Sequence, residues 1–147
     1  MQGKISRRGE RGATLVEFSI GALVFFTATF GVLESGRLLW THNALADAAR
    51  RGARYAVINP QNATNVKNVV VYGDPAGGTN PVVYGLTTGN VDVVYSGDFG
   101  VKQGTVSVKI TGYNFDFTIP LIGATLTMPS YHTTLTGESG GYVPPDL

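Results

Sequence analysis

The chain has 147 residues, a formal net charge of +1 and no cysteine. This length leaves room for one small domain beside a long helix, and the near-zero charge gives no reason to expect nucleic acid or electrostatic steering of an acidic substrate. The absence of cysteine excludes thiol catalysis, cysteine metal sites and disulfide bonds.

The N-terminal region consists of a short basic segment followed by a long apolar one. Residues 1–12 contain four basic residues and one acidic residue, and we expect them to form a cytoplasmic leader that is too short and polar to fold. Residues 13–33 carry no charge except Glu17. They number about the 20 that an α-helix needs to cross a bilayer. By the positive-inside rule, the N-terminus stays in the cytoplasm and the chain beyond Leu33 lies outside.

The helical pattern continues beyond the apolar segment. Residues 34–58 contain no proline and are rich in alanine and long side chains. Asn59-Pro60 ends this run, because the residue before a proline disfavours the α conformation. The sequence therefore predicts one long helix over residues 13–58, with residues 13–33 in the membrane and residues 34–58 outside it.

Charged side chains in the outer half of this helix stand at helical spacing. Glu34 and Arg37 are three residues apart, and Asp47 and Arg51 are four apart, as in pairs on a helix surface. We expect both pairs to be solvated, with Trp40 as an aromatic residue near the membrane interface.

An ordinary secretory signal is the alternative interpretation of residues 13–33. The apolar part of such a signal usually has about 7–15 residues, and its small-x-small cleavage site follows closely. Here the small-x-small sites, 44–46 and 46–48, lie well beyond the apolar end. The sequence therefore favours a retained membrane helix.

Residues 60–147 predict a small β-rich domain. Residues 62–72 fit a short helix that ends at Gly73, but the β-branched run at 69–71 fits a strand equally well; we favour the helix. Residues 74–81 are dense in turn-forming residues and predict a loop.

Side chains further along alternate between apolar and polar, which is typical of strands with one buried face. The alternation covers 91–95, 106–110 and 115–119. Residues 125–135 predict a last strand that Pro129 interrupts, and residues 137–147 predict a loose tail. The expected fold class is α+β, in which the long membrane-spanning helix precedes a small, mainly antiparallel β-rich domain.

Several short motifs carry a family resemblance. Gly12 is followed by Ala13, and Glu17 and Phe18 stand at the fifth and sixth positions after the glycine, as in a prepilin-peptidase site. Together with the strings 47–57 and 129–138, these residues resemble the TadE-like minor pilins (pseudopilins) of tight-adherence pili.

This resemblance implies a structural protein rather than an enzyme. Its precursor would be cleaved after Gly12 by a prepilin peptidase, which leaves Ala13 as the new N-terminus. It would then span the inner (cytoplasmic) membrane once, with its C-terminus outside. Its expected partners are the prepilin peptidase, the membrane, other pilins and the pilus assembly machinery, and it would serve pilus assembly and surface adherence or enter the extracellular pilus itself.

Glu17 is the residue most in need of an explanation. A carboxylate in hydrocarbon costs on the order of 2–4 kcal/mol, so it usually has a partner or a function. Cleavage after Gly12 would give Ala13 a charged amine four residues away, and the same amine on a neighbouring subunit could also pair with Glu17. The alternative is an interfacial carboxylate that reaches water or pairs with Arg11.

No pattern in the chain indicates an active site. The two histidines, His42 and His132, are not spaced as metal ligands, and neither a phosphate-binding loop nor a dinucleotide fingerprint is present. We predict no cofactor, metal or small-molecule substrate, and no nucleic-acid partner. Two alternatives stay open: an unprocessed single-span membrane protein whose β-rich domain binds a partner, and an enzyme tethered by its N-terminus, which lacks a recognisable catalytic set.

Overall fold

Helix α1, Arg8–Ile58, dominates the computed structural model, which describes residues 8–59, 62–97, 104–118 and 123–137, with side chains in α1 from residue 12 onwards. The helix has 51 residues and is therefore about 76 Å long. Its C-terminal end is the predicted one. Its beginning differs from our expectation of an unfolded leader, because residues 8–12 are already helical; they contain no proline that would stop the helix.

The first half of α1 projects away from the domain. Every large apolar side chain between residues 13 and 33 is at least 42% exposed. These side chains surround the helix rather than forming a stripe on one side of it: Leu15, Val16, Phe18, Ile20, Leu23, Val24, Phe25, Phe26, Phe30, Val32 and Leu33.

The second half of α1 packs against the domain through small residues. Ala48, Ala49, Ala53 and Ala56 are almost fully buried. A Cβ on Gly52 would collide with Val70 Cγ2 on the second helix, so the two helices approach as closely as they do because residue 52 has no side chain.

Helix α2, Ala63–Tyr72, confirms the helical interpretation of residues 62–72. The side chain of Asn62 caps its first turn by accepting a hydrogen bond from the Asn65 N–H. Gly73 ends it with a left-handed backbone, φ 78°, which glycine adopts without the cost of a Cβ clash. A single 3-10 turn, Thr88–Asn90, precedes the sheet.

In the described residues, five strands form two antiparallel sheets. The first sheet has the order β1–β2–β5, with β1 at Val91–Ser96, β2 at Thr105–Ile110 and β5 at Tyr131–Thr136. The second pairs β3, Asn114–Asp116, with β4, Thr125–Thr127. The α+β fold class is thereby confirmed.

Two predicted strands differ in detail from the observed ones. The third strand ends at Asp116 rather than continuing to 119, although the Phe117 N–H still donates to the Ala124 carbonyl at 3.0 Å; residue 119 lies outside the described residues. The predicted strand over 125–135 is in fact two strands in different sheets, β4 and β5. Pro129 lies between them, and proline cannot donate to a strand ladder.

One hydrophobic core lies between the helices and the strands. Helix α1 packs on β2 and β5, and α2 packs on α1 and β1. The largest fully buried side chains come from α1, α2, β1, β2, β3 and the loop before β1: Leu45, Val57, Val66, Val70, Val71, Val83, Val91, Val106, Val108, Ile110 and Phe115.

Candidate functional site

The predicted processing residues lie on the exposed first half of α1. Gly12, Ala13, Glu17 and Phe18 are all exposed, and Phe18 is 74% exposed. Helix geometry places Ala13 and Glu17 on the same face, one turn apart. A Cβ on Gly12 would meet no atom of the rest of the described chain within 4 Å. Among residues whose side chains are described, none forms an ion pair with Glu17, and the alternative partner, Arg11, lies outside that set.

The segment that carries these residues meets the requirements for a membrane span. Helix α1 from Gly12 to Ile58 is long and apolar enough to cross a bilayer, and the most apolar window within it is not buried in the domain at all. A helix that is apolar all round needs an apolar environment on every side. The helix therefore suits a single-pass membrane protein.

An ion pair within α1 also contacts strand β3 of the domain. Arg37 Nη2 and Nε donate to Glu34 Oε2 at 2.8 and 3.2 Å, and Nη2 also donates to the Asp116 carbonyl of β3. The guanidinium carbon lies 4.1 Å from the centre of the Phe115 ring. The Arg37 guanidinium thus connects Glu34 of α1 with Phe115 and Asp116 of β3.

The burial of Glu34 contradicts one of the predictions. We expected Glu34 and Arg37 to form a solvated surface pair, but Glu34 is only 9% exposed. The spacing within α1 was sufficient to predict the pairing of these two residues. It was not sufficient to predict the burial, because the strand that covers the pair is 79 residues further along the chain.

A cavity of ≈270 Å³ opens beside this junction. It is lined by Arg37 and by Trp40, which is 60% exposed, and by Tyr84, which is 92% exposed. On its wall, Tyr113 donates to the Tyr84 carbonyl at 2.8 Å. Burial raises the pKa of Tyr113; the charge of Arg37 lowers this pKa and that of Asp116 raises it further. Alternation along the sequence gave no sign that Tyr113 and Tyr84 would meet.

A second contact ties α1 to β5. His42 Nδ1 lies 2.7 Å from the Tyr131 hydroxyl, and the two rings form an edge-to-face pair with centroids 5.1 Å apart. Burial raises the pKa of Tyr131. His132 is exposed on β5, so the fold does not bring the two histidines together. Within the described ranges, no three His, Cys, Asp or Glu residues cluster in a way that could hold a metal ion.

The outer surface of α1 carries the second predicted ion pair. Arg51 Nη1 donates to Asp47 Oδ2 at 2.6 Å, and the two side chains are 42% and 58% exposed. This pair is solvated, as expected. Arg50 and Arg54 have no ion-pair partner among the described residues.

A comparison with known protein families gives a match within α1. A family model described as "TadE-like protein" matches residues 12–54. This match begins at Gly12 and covers α1 through Arg54. Residues 12–54 of this chain are therefore similar to the TadE-like family. The match confirms the resemblance over residues 12–54 and relates this part of the chain to the pilin-like proteins of tight-adherence pili. The string 129–138 lies outside the matched residues. Neither a curated protein nor a solved structure matches the chain.

Proposed function

We propose that this protein is a structural pseudopilin (minor pilin) of a tight-adherence pilus, made as a precursor and cleaved after Gly12 by a prepilin peptidase. The observation that carries the proposal is the exposed apolar surface of residues 13–33. This surface follows Gly12 directly and contains Glu17 one helical turn after Ala13.

Two environments can cover such a helix. Lipid would cover it while the protein is in the inner membrane, and helices of other pilins would cover it after assembly. An α-helix satisfies its backbone hydrogen bonds internally, so it can move between these two environments. The basic leader places the N-terminus in the cytoplasm, and the domain then lies outside, where it can take part in adherence.

The proposed domain boundaries follow from this arrangement. Residues 1–12 are the leader, residues 13–33 the membrane half of the helix, residues 34–58 its outer half, and residues 60–147 the β-rich domain. Glu34 marks the outer boundary well, because it is the first charged residue after Glu17 and is paired with Arg37.

Glu17 would act during assembly. Cleavage leaves an ammonium group on Ala13, and a cation inside a helix bundle needs a nearby anion. Glu17 supplies that anion, either to its own N-terminus or to that of a neighbouring subunit. A buried charge that loses its partner typically costs about 3–5 kcal/mol. In the membrane-bound monomer the amine can stay at the wet interface, so the penalty applies only to the packed state.

The mature N-terminus tests the cleavage step. Intact mass of the membrane-extracted protein should correspond to a chain that begins at Ala13. Gly12→Leu should accumulate as the full-length precursor, because the peptidase requires a residue without a side chain at the cut. Gly21→Leu is the matched control, since a Cβ at either glycine meets nothing in the described chain within 4 Å. A wild-type chain that keeps its leader would favour the alternative of an unprocessed single-span membrane protein.

Glu17→Gln separates cleavage from assembly. We expect this variant to be cleaved and retained in the membrane, but to be poorly recovered with other pilus components after crosslinking. Glu17→Asp keeps the charge and should recover part of the association. Wild-type recovery of Glu17→Gln would show that Glu17 is only an interfacial carboxylate.

Added protease tests the orientation. In spheroplasts, protease should digest the region beyond Trp40 and leave the membrane segment intact. Protection of the domain until the cells are lysed would reverse the proposed topology.

A further inference from the structure

The outer strands of the three-stranded sheet are β1 and β5. Within the described part of the chain, β1 and β5 each pair only with β2, and each does so over six residues without a bulge. Natural sheets usually protect an exposed edge with a proline, a bulge, several charges or a covering element. β1 and β5 contain no proline and one charged residue between them, Asp92.

The outer face of this sheet carries a row of polar side chains. Asp92 on β1 is paired in register with Lys109 on β2, and Lys109 with His132 on β5. All three residues are exposed. An acidic residue therefore stands at one edge of the row and a histidine at the other. A histidine ring N–H can donate a hydrogen bond to a carboxylate, so the two edges are complementary to each other.

The direction of the strands limits how two copies can join. Tyr131, at the start of β5, contacts His42, and Val108, which pairs with Thr133 further along β5, lies near a Cβ built on Gly52. β5 therefore advances in the same direction as α1. If copies share one membrane orientation, which rests on the proposed function, their strands all have the same polarity. Antiparallel pairing between copies would point their helices in opposite directions, so the joint must be parallel.

Of the parallel joints, β5 against β1 suits the fold. β1 and β5 are parallel to each other because both are antiparallel to β2. Joining β5 of one copy to β1 of the next keeps the helix-covered faces of both sheets on the same side. A parallel joint between two β5 strands would place those faces on opposite sides. A groove of ≈230 Å³ lies between α1 and the start of β5 and is lined on the helix by Ala46, Ala49 and Arg50.

We propose that copies of this protein associate by sheet extension, in which the β5 edge of one copy pairs in parallel with the β1 edge of the next. His132 then lies beside Asp92 of the neighbouring copy, and the polar row continues across the joint. Because the joint uses two different edges, it repeats from copy to copy rather than closing as a dimer.

Cysteine pairs test this joint, since the chain has no cysteine of its own. Val94 and Thr134 stand in the row next to Asp92 and His132, and both are exposed. A full-length Val94→Cys chain and a full-length Thr134→Cys chain, with tags of different mass, are co-expressed in the membrane and oxidised. Adjacent strands bring their Cα atoms within the range of roughly 4.4–6.8 Å that a disulfide needs.

We expect the mixed dimer to be several-fold more abundant than either homodimer. The control is a Thr64→Cys chain, whose cysteine lies at an exposed site on α2. The mixed dimer should also be several-fold more abundant than the dimer that either chain forms with this control. Ser96→Cys with Thr136→Cys is a second pair from another row and guards against one poorly folded variant. Asp92→Lys on the Val94→Cys chain should lower the mixed dimer about two- to fivefold, as for the loss of one polar cross-strand pair. His132→Glu on the other chain should restore it.

The remaining outcomes overturn the joint. These are a mixed dimer no more abundant than the Thr64→Cys control, an excess of the Thr134→Cys homodimer, or disulfides formed only with other membrane proteins. Intact mass of the same samples shows whether the leader was removed. Failed cleavage and failed sheet pairing are therefore distinguishable results.

Discussion

Replacing Arg37 with glutamine removes the guanidinium that joins α1 to β3. It leaves the Glu34 carboxylate, whose side chain is 12% exposed, without its partner. Breaking a fully buried pair costs about 3–5 kcal/mol, and breaking an exposed one costs about 0–1 kcal/mol. The Arg37 side chain is itself 42% exposed, so we expect an intermediate cost of about 2 kcal/mol for the lost pair.

Loss of the contact with the Phe115 ring adds to this cost. A cation over an aromatic face at a partly exposed site contributes about 0.5–1 kcal/mol. Arg37→Gln should therefore lower the free energy of unfolding of the domain by about 2–3 kcal/mol in total. Glu34→Gln should cost only about 0.5–1 kcal/mol, because Arg37 would keep its contacts with Phe115 and Asp116 and a partly exposed guanidinium remains solvated.

The double variant tests whether the unpaired Glu34 carboxylate causes the loss of stability. Adding Glu34→Gln to Arg37→Gln removes the stranded carboxylate, so the double variant should be more stable than Arg37→Gln alone. Urea unfolding of the full chain in detergent micelles, followed by Trp40 fluorescence, measures these differences; Trp40 is the only tryptophan and lines the same cavity. Arg51→Gln is the matched control, since it breaks an exposed pair.

Two results would refute this reasoning. If Arg37→Gln costs no more than Arg51→Gln, Glu34 is in effect solvated and the junction has no special role. If Glu34→Gln fails to recover stability in the Arg37→Gln background, the loss comes from packing against Phe115 rather than from an unpaired carboxylate.

Two further predictions concern the domain. Gly52→Ala should destabilise it by about 1–3 kcal/mol through collision with Val70, whereas Gly36→Ala, which meets nothing within 4 Å, should be neutral or stabilising; urea unfolding compares the two. Burial raises the pKa of Tyr113 and Tyr131 above 10.0, so their contribution to stability persists below pH 10.0 and is lost as the pH rises through the raised values. Thermal unfolding at increasing pH should show a shallower alkaline decline when both are phenylalanine; an unchanged slope would contradict it.

Local patterns in the sequence were sufficient to predict most of the elements. The end of α1 before Pro60, the helix that Gly73 terminates, and strands β1 and β2 follow from proline, glycine and side-chain alternation, which act within a few residues. The Asp47–Arg51 pair follows from helical spacing for the same reason. Each of these features is determined by neighbours in the chain, and so a single sequence can reveal them.

Contacts between distant residues were not predictable in this way. Phe115 and Asp116 cover the Glu34–Arg37 pair, and Tyr131 meets His42, but no local pattern indicates which strand will lie against which turn of α1. The division of residues 125–135 into two sheets has the same origin. Pro129 marked the interruption, whereas the partners of the two halves depend on the arrangement of the whole domain.

The two halves of α1 show how composition indicates what covers a helix. Its outer half buries Leu45 and Val57 together with several alanines, and Gly52 lies where α2 approaches too closely for a side chain. Its inner half presents phenylalanine, leucine and valine on every side, and lipid or other helices can accommodate such side chains without a fixed partner. The single carboxylate in this half, Glu17, breaks the pattern. A charge in that position costs free energy and usually has a partner or a function. If the proposed cleavage after Gly12 occurs, the new N-terminus one turn away provides that partner.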